Sequence, residues 1–82
     1  NLMDKIKFYG TMWCSDCHRS KEFLDSHKID YEYTDVDENP EFAKLITQIN
    51  NGLQRVPTII FPDGSILVEP TNKEISEKLG IS

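Results

Sequence analysis

The sequence predicts an α/β chain in the order β-α-β-α-β-β-α, with a four-stranded mixed sheet flanked by helices. Two observations predict it. Residues 5–9 and 30–36 are β-prone runs joined by a long helix-like stretch, which forces a parallel, right-handed βαβ unit. Residues 56–61 and 66–69 are two further runs joined by Pro62-Asp63-Gly64-Ser65, a tight-turn sequence that makes this pair antiparallel.

Each element has its own local reason. In residues 5–9, Lys-Ile-Lys-Phe-Tyr partly alternates, and Gly10-Thr11 is expected to break the strand. Residues 15–27 read as a helix. Cys17, Lys21, Leu24 and Lys28 form one stripe, Ser15 is the expected cap, and Asp16 suits the positive end of the helix dipole. Strict alternation over residues 30–36 gives strand two. Asn39 as cap and Pro40 at the first helical position open the second helix. Its packed face is Phe42, Leu45, Ile46 and Ile49, and Asn51-Gly52 closes it. Thr71 and Glu74 fit a capping box, Ile75 and Leu79 give the last helix its apolar face, and Gly80 ends it.

With 82 residues there is room for one core, so residues 1–82 are read as a single domain. A net charge of −5 argues against nucleic acid or an anionic membrane surface as partner. No apolar run approaches the roughly 18–20 residues of a spanning helix. The first residues, Asn1-Leu2-Met3-Asp4-Lys5, are charged and short, so no leader is read there, and Met3 is a natural start. Two cysteines are too few for a disulfide-stapled secreted scaffold, so a cytoplasmic, monomeric protein is expected.

Those two cysteines carry the chemistry. Cys14 and Cys17 stand three apart between the first strand and the first helix. A thiol attacks as its thiolate, and the free N–H groups of a helix N-terminus favour an anion in the first turn. Cys14 falls there. Cys17, one turn further in, lies within disulfide reach. Cys14 is therefore the expected attacker and Cys17 the shielded resolving thiol, working through a mixed disulfide. The carboxylate of Asp16 opposes thiolate formation, and Arg19 and Lys21 partly offset it. Trp13, adjoining Cys14, is read as a wall of the site. Arg55 reads equally as a surface charge or a partner for a substrate carboxylate. Val56-Pro57 opens the third strand with a residue that cannot donate to a ladder.

The pair also fits other chemistries. Zinc needs about four ligands, and only His18 and His27 remain to complete a set. Cys14-Ser15-Asp16-Cys17-His18 matches the c-type haem attachment pattern, but no methionine follows Met12 to serve as a distal ligand. Neither a metal nor a bound cofactor is expected.

Thr11-Met12-Trp13-Cys14-Ser15-Asp16-Cys17, then Arg55-Val56-Pro57-Thr58-Ile59-Ile60-Phe61, then Asp63-Gly64-Ser65, together resemble a glutaredoxin over essentially the whole chain. Trp13, Asn51-Gly52, and Pro62-Asp63-Gly64-Ser65 followed by Leu67 and Pro70 are most similar to the mycoredoxin and actinobacterial glutaredoxin-like branch. The resemblance implies a thioredoxin fold, Cys14 as attacker, and a cis Val56-Pro57 bond. It implies a low-molecular-weight thiol as co-substrate (mycothiol, glutathione or similar), lying along Val56 with further contacts at Thr71 and Asn72. It further implies protein mixed disulfides as substrates. Two departures point away from glutathione. Thr11 stands where many glutathione-using members have lysine, and Val68-Glu69-Pro70-Thr71-Asn72-Lys73 replaces their Gly-Gly and Asp-Asp signature. Ser15-Asp16 also replaces the usual Pro-Tyr. Two alternatives accompany this reading: a protein disulfide reductase fed by a flavin reductase, and a non-catalytic iron–sulfur carrier, for which the small Ser15 is permissive.

Overall fold

The computed structural model describes residues 5–81, so the expectation for the first residues lies outside the described residues. β1 (Ile6–Gly10) is followed by α1 (Ser15–Ser26), β2 (Tyr31–Asp35), α2 (Pro40–Ile49), β3 (Thr58–Ile60), β4 (Ile66–Val68) and α3 (Asn72–Leu79). The element order is the one the sequence predicts. The strands lie in the order β2-β1-β3-β4. β1 pairs parallel with β2, and β3 runs antiparallel to both β1 and β4.

Register explains the layers. Phe8 faces Tyr33 on one side and Ile59 on the other, and side chains directly opposite share a face of the sheet. Phe8 and Ile59 are fully buried there, with the Tyr31 and Tyr33 rings against Phe8 at 5.7 and 5.9 Å. α1 covers this face, its Lys21 ammonium 4.0 Å from the Tyr33 ring centroid. Tyr9 and Thr58, paired in register, look the other way. There Tyr9 stacks on Phe42 of α2 at 5.5 Å, and Asn50, the C-cap of α2, donates to the Thr58 hydroxyl. Leu24, Ile46 and Ile75 bring one fully buried anchor from each helix.

Some local expectations are corrected. Cys14, not Ser15, caps α1, because its sulfur accepts the Cys17 N–H. β1 stops at Gly10-Thr11 as expected, with Gly10 itself still paired to Asp35. Asn39 does hold the cap position of α2, but its side chain makes no cap bond and donates instead to the Asp35 carbonyl. β3 begins at Thr58, because Pro57 has no N–H for a ladder. α1 stops one residue early, with Lys28 in the left-handed region at φ 57°. The capping box of α3 forms as expected: the Thr71 hydroxyl accepts from the Glu74 N–H, and the Glu74 carboxylate accepts from the Thr71 N–H.

One glycine matters for the site. A methyl group on Gly10 would lie 2.9 Å from Cys17 Sγ and 3.2 Å from the Phe8 ring. Both neighbours are fully buried and cannot retreat. Gly10→Ala is expected to lower stability by about 1–3 kcal/mol, the usual cost of overpacking a filled core. Urea unfolding should show this as a lower midpoint with unchanged slope.

Candidate active site

The loop from β1 into α1 delivers both cysteines to the C-terminal end of the parallel strands. Cys14 has extended dihedrals, φ −85° and ψ 113°, as an N-cap residue should. Its Sγ lies 3.1 Å from the Cys17 N–H and 3.7 Å from the Val56 carbonyl, to which the thiol donates. Cys14 keeps a narrow opening to solvent at 8% exposure, whereas Cys17 is sealed at 0%. The asymmetry runs in the direction expected from their places on the helix. The backbone N–H aimed at Cys14 Sγ is the contact that favours negative charge on that sulfur.

Cys17 experiences the opposite environment. Burial foremost, then the hydrogen bond with Cys14, pushes its thiol up to about 12. A hydrogen bond with the Thr11 backbone and the Lys21 charge pull the other way. The Lys21 charge thus acts on the inner sulfur. Arg19 lies 3.8 Å from Asp16, within ion-pair range.

Val56-Pro57 is cis, as the resemblance implied, and Val56 is the residue whose carbonyl meets Cys14. The Pro57 carbonyl in turn accepts from the Glu69 N–H at 2.8 Å. This chain of contacts leads from Cys14 along the Val56-Pro57 edge to a groove of about 360 Å³ lined by Asp16, Arg19, Glu69, Pro70, Thr71 and Asn72. Thr71 and Asn72 therefore share one groove with the helix that carries Cys14. Arg19 crosses between helices, donating to Asn72 Oδ1 and, at 2.8 Å, to the Pro70 carbonyl. Arg55 pairs with Glu69 at 3.1 Å.

Trp13 sits on the rim, 72% exposed, its indole N–H donating to Asp37 at 2.7 Å. Met12 is similarly exposed beside it. Thr11 is fully buried, and its hydroxyl has no protein partner. It cannot reach a ligand at the surface as a lysine there would. His18 is exposed and its Nε2 donates to the Met12 carbonyl. Among the described residues, no group of three or more His, Cys, Asp or Glu side chains is arranged to hold a metal.

Arg19 and Glu69 are groove residues that the sequence reading did not assign to the site. The i,i+3 spacing of Asp16 and Arg19 was visible, but the reach of Arg19 to α3 depends on tertiary packing. Glu69 holds a left-handed φ of 49°, which nothing in a glutamate foretells.

The sheet order, the cis proline edge and a dithiol at the start of α1 define a thioredoxin-fold thiol oxidoreductase. The glutaredoxin family model matches residues 6–66, and the chain belongs to the glutaredoxin family. Its actinobacterial likeness also holds. Mycoredoxin 1 of Corynebacterium glutamicum is 30% identical over 77 residues, covering 94% of this chain and 95% of that protein. A Mycobacterium tuberculosis protein named as a glutaredoxin, Rv3198A, is 36% identical over 74 residues, covering 90% and 88%. Among solved structures, the Methanosarcina acetivorans methanoredoxin superposes with a TM-score of 0.78 at 30% identity, covering 94% of this chain and 85% of that one. Among the described residues, no helix is long and apolar enough to cross a membrane.

Proposed function

We propose that this glutaredoxin reduces mixed disulfides between proteins and a low-molecular-weight thiol, mycothiol, glutathione or similar, in the reducing cytoplasm. The single observation that carries the reading is the opposed setting of the two sulfurs. Cys14 has a backbone N–H donor and an opening to solvent, while Cys17 is sealed and held protonated.

The chemistry balances as two exchanges. Cys14 thiolate attacks the small-thiol sulfur of the mixed disulfide, forming a new disulfide and releasing the protein thiolate, which takes up a proton. A second small thiolate then attacks that sulfur, restoring Cys14 thiolate and leaving the small thiol as its symmetrical disulfide. Alternatively Cys17, after losing its proton, attacks Cys14 and expels the small thiolate. That leaves a Cys14–Cys17 disulfide, which two equivalents of small thiol reduce. The Val56-Pro57 edge and the groove by Thr71 and Asn72 orient the small thiol, and Trp13 stands at the rim where a protein substrate approaches.

The test is to trap the intermediate. A reduced Cys17→Ser chain, mixed with a protein or peptide carrying a small-thiol mixed disulfide, should gain the mass of the small thiol on Cys14. Accumulation of the protein–Cys14 adduct alone would overturn the proposed direction of attack.

A further inference from the structure

The small-thiol groove is not the only cavity beside the active-site loop. That groove adjoins Glu69, just beyond the edge strand β4. A second cavity, of about 550 Å³, lies at the opposite edge of the sheet, against the end of β2 and the first turn of α2. Met12 and Phe42 give it apolar walls, and Asp35 and Glu38 give it charge. No residue lines both cavities.

Met12 and Trp13 lead from this second cavity to Cys14, and they are 64% and 72% exposed. Large apolar side chains left in water beside a reactive thiol mark a surface that a partner covers. The Trp13 indole N–H is tied to the Asp37 carboxylate, which fixes the ring and leaves its exposed part open for contact. The charge around this rim has one sign. Residues 35–41 carry Asp35, Asp37, Glu38 and Glu41, and no lysine or arginine occurs from Ile29 to Ala43. Among the described residues, no lysine or arginine forms an ion pair with any of the four carboxylates, and Lys21 lies over the Tyr33 ring instead.

We propose that the Met12–Trp13 rim and the acidic cavity behind it are the docking surface for the protein half of the mixed disulfide. The partner it fits is a protein segment whose modified cysteine is flanked by an apolar residue and by lysine or arginine. The apolar residue covers Met12 and Phe42. The cation meets the Asp35 and Glu38 carboxylates and the exposed indole of Trp13, which attracts a cation to its face. Charge complementarity selects this occupant over a second copy of the chain, which would bring the same carboxylates and a net charge of −5 to the contact. The inference rests on the mixed-disulfide reading above and extends it to the protein side: the small thiol takes one edge of the site and the protein the other.

The test uses short peptides carrying one cysteine in mixed disulfide with 2-mercaptoethanol. Leucine stands on one side of the cysteine, and lysine, glutamine or glutamate on the other. The second-order rate constant of reduced Cys17→Ser protein with each peptide is divided by that of free dithiothreitol, which removes intrinsic reactivity. The normalised constant should fall in the order lysine, glutamine, glutamate, with about fivefold between the ends. Raising salt from about 20 mM to about 500 mM should compress that spread. Adding Asp35→Asn and Glu38→Gln should cut the spread to below about twofold, whereas Glu38→Asp, which keeps the charge, should preserve it. Replacing the peptide leucine by serine should slow the parent about threefold, and Met12→Ser should remove that difference. Equal normalised constants for the three peptides, or a spread untouched by the paired substitutions, would overturn the proposal while leaving the mixed-disulfide reading intact. Sedimentation of the chain as a dimer that Met12→Ser dissociates would assign the face to a second copy and overturn it likewise. Failure of every peptide to transfer 2-mercaptoethanol to Cys14 would overturn the mixed-disulfide reading itself, and this inference with it.

Discussion

Cys14→Ser is expected to abolish mixed-disulfide reduction, with a rate at least about a thousandfold below the parent, because a serine hydroxyl supplies no comparable nucleophile near neutral pH. Cys17→Ser is expected to behave differently in two assays. With a small-thiol mixed disulfide and excess small thiol, it should retain most of its rate. The reason is structural: the donor aimed at Cys14 Sγ is the backbone N–H of residue 17, which survives loss of the Cys17 sulfur. With an intramolecular protein disulfide as substrate, the same variant should stall, since no internal thiol can resolve the Cys14–protein adduct. Steady-state rates in the two assays separate the roles. A Cys14→Ser chain with substantial turnover, or a Cys17→Ser chain inactive in both assays, would contradict the assignment.

How much of this was legible in the sequence depended on how local each cause is. The βαβ crossover, the Pro62–Ser65 turn and the Thr71–Glu74 capping box are dictated within a few residues, and each formed as expected. The cysteine pair was equally plain, because its spacing and its place before a helix fix the geometry. The cap of α1 was misread because serine is a common N-cap, while here a cysteine sulfur does that work one residue earlier. The end of β1 at Gly10-Thr11 was plain, but the packing that also demands a glycine there shows only in the 2.9 Å approach of Cys17. The groove was half legible. Thr71 and Asn72 came from the family pattern, but Arg19 and Glu69 reach it through contacts between residues some fifty and fourteen positions apart, respectively. In sequence Arg55 fits a surface charge and a substrate partner equally well, and only its pairing with Glu69 gives it a role in the chain's own charge balance.

The reduced protein is expected to lose stability steeply between pH 9 and pH 11. The Cys17 thiol is pushed from 9.0 up to about 12, chiefly by burial. Tyr31 and Tyr33 are pushed from 10.0 up to about 12, again chiefly by burial, with the Asp25 carboxylate adding to it at Tyr31 and Asp35 at Tyr33. In all three the folded chain holds its proton after the unfolded chain has released it. The stabilising contribution is therefore complete below pH 9 and is lost as the pH climbs toward the folded values. Each such group costs about 1.4 kcal/mol per pH unit. Cys17 alone acts from pH 9 to 10, and Tyr31 and Tyr33 join it above 10, together with Tyr9, which burial also pushes up. The summed loss by pH 11 is on the order of 5 kcal/mol, comparable to the whole stability of a small domain. Denaturant unfolding across this range should show the fall, and Cys17→Ser should remove its onset between pH 9 and 10 while leaving the steeper part. Stability of the reduced protein that stayed level to pH 11 would contradict the buried, protonated state of Cys17. The same protonation governs the reaction. Once a small thiol occupies Cys14, the influence of the Cys14 thiol on Cys17 is gone, leaving burial against the Thr11 hydrogen bond and Lys21. Loading the outer sulfur thereby eases deprotonation of the inner one, and internal resolution should speed up with rising pH until unfolding intervenes.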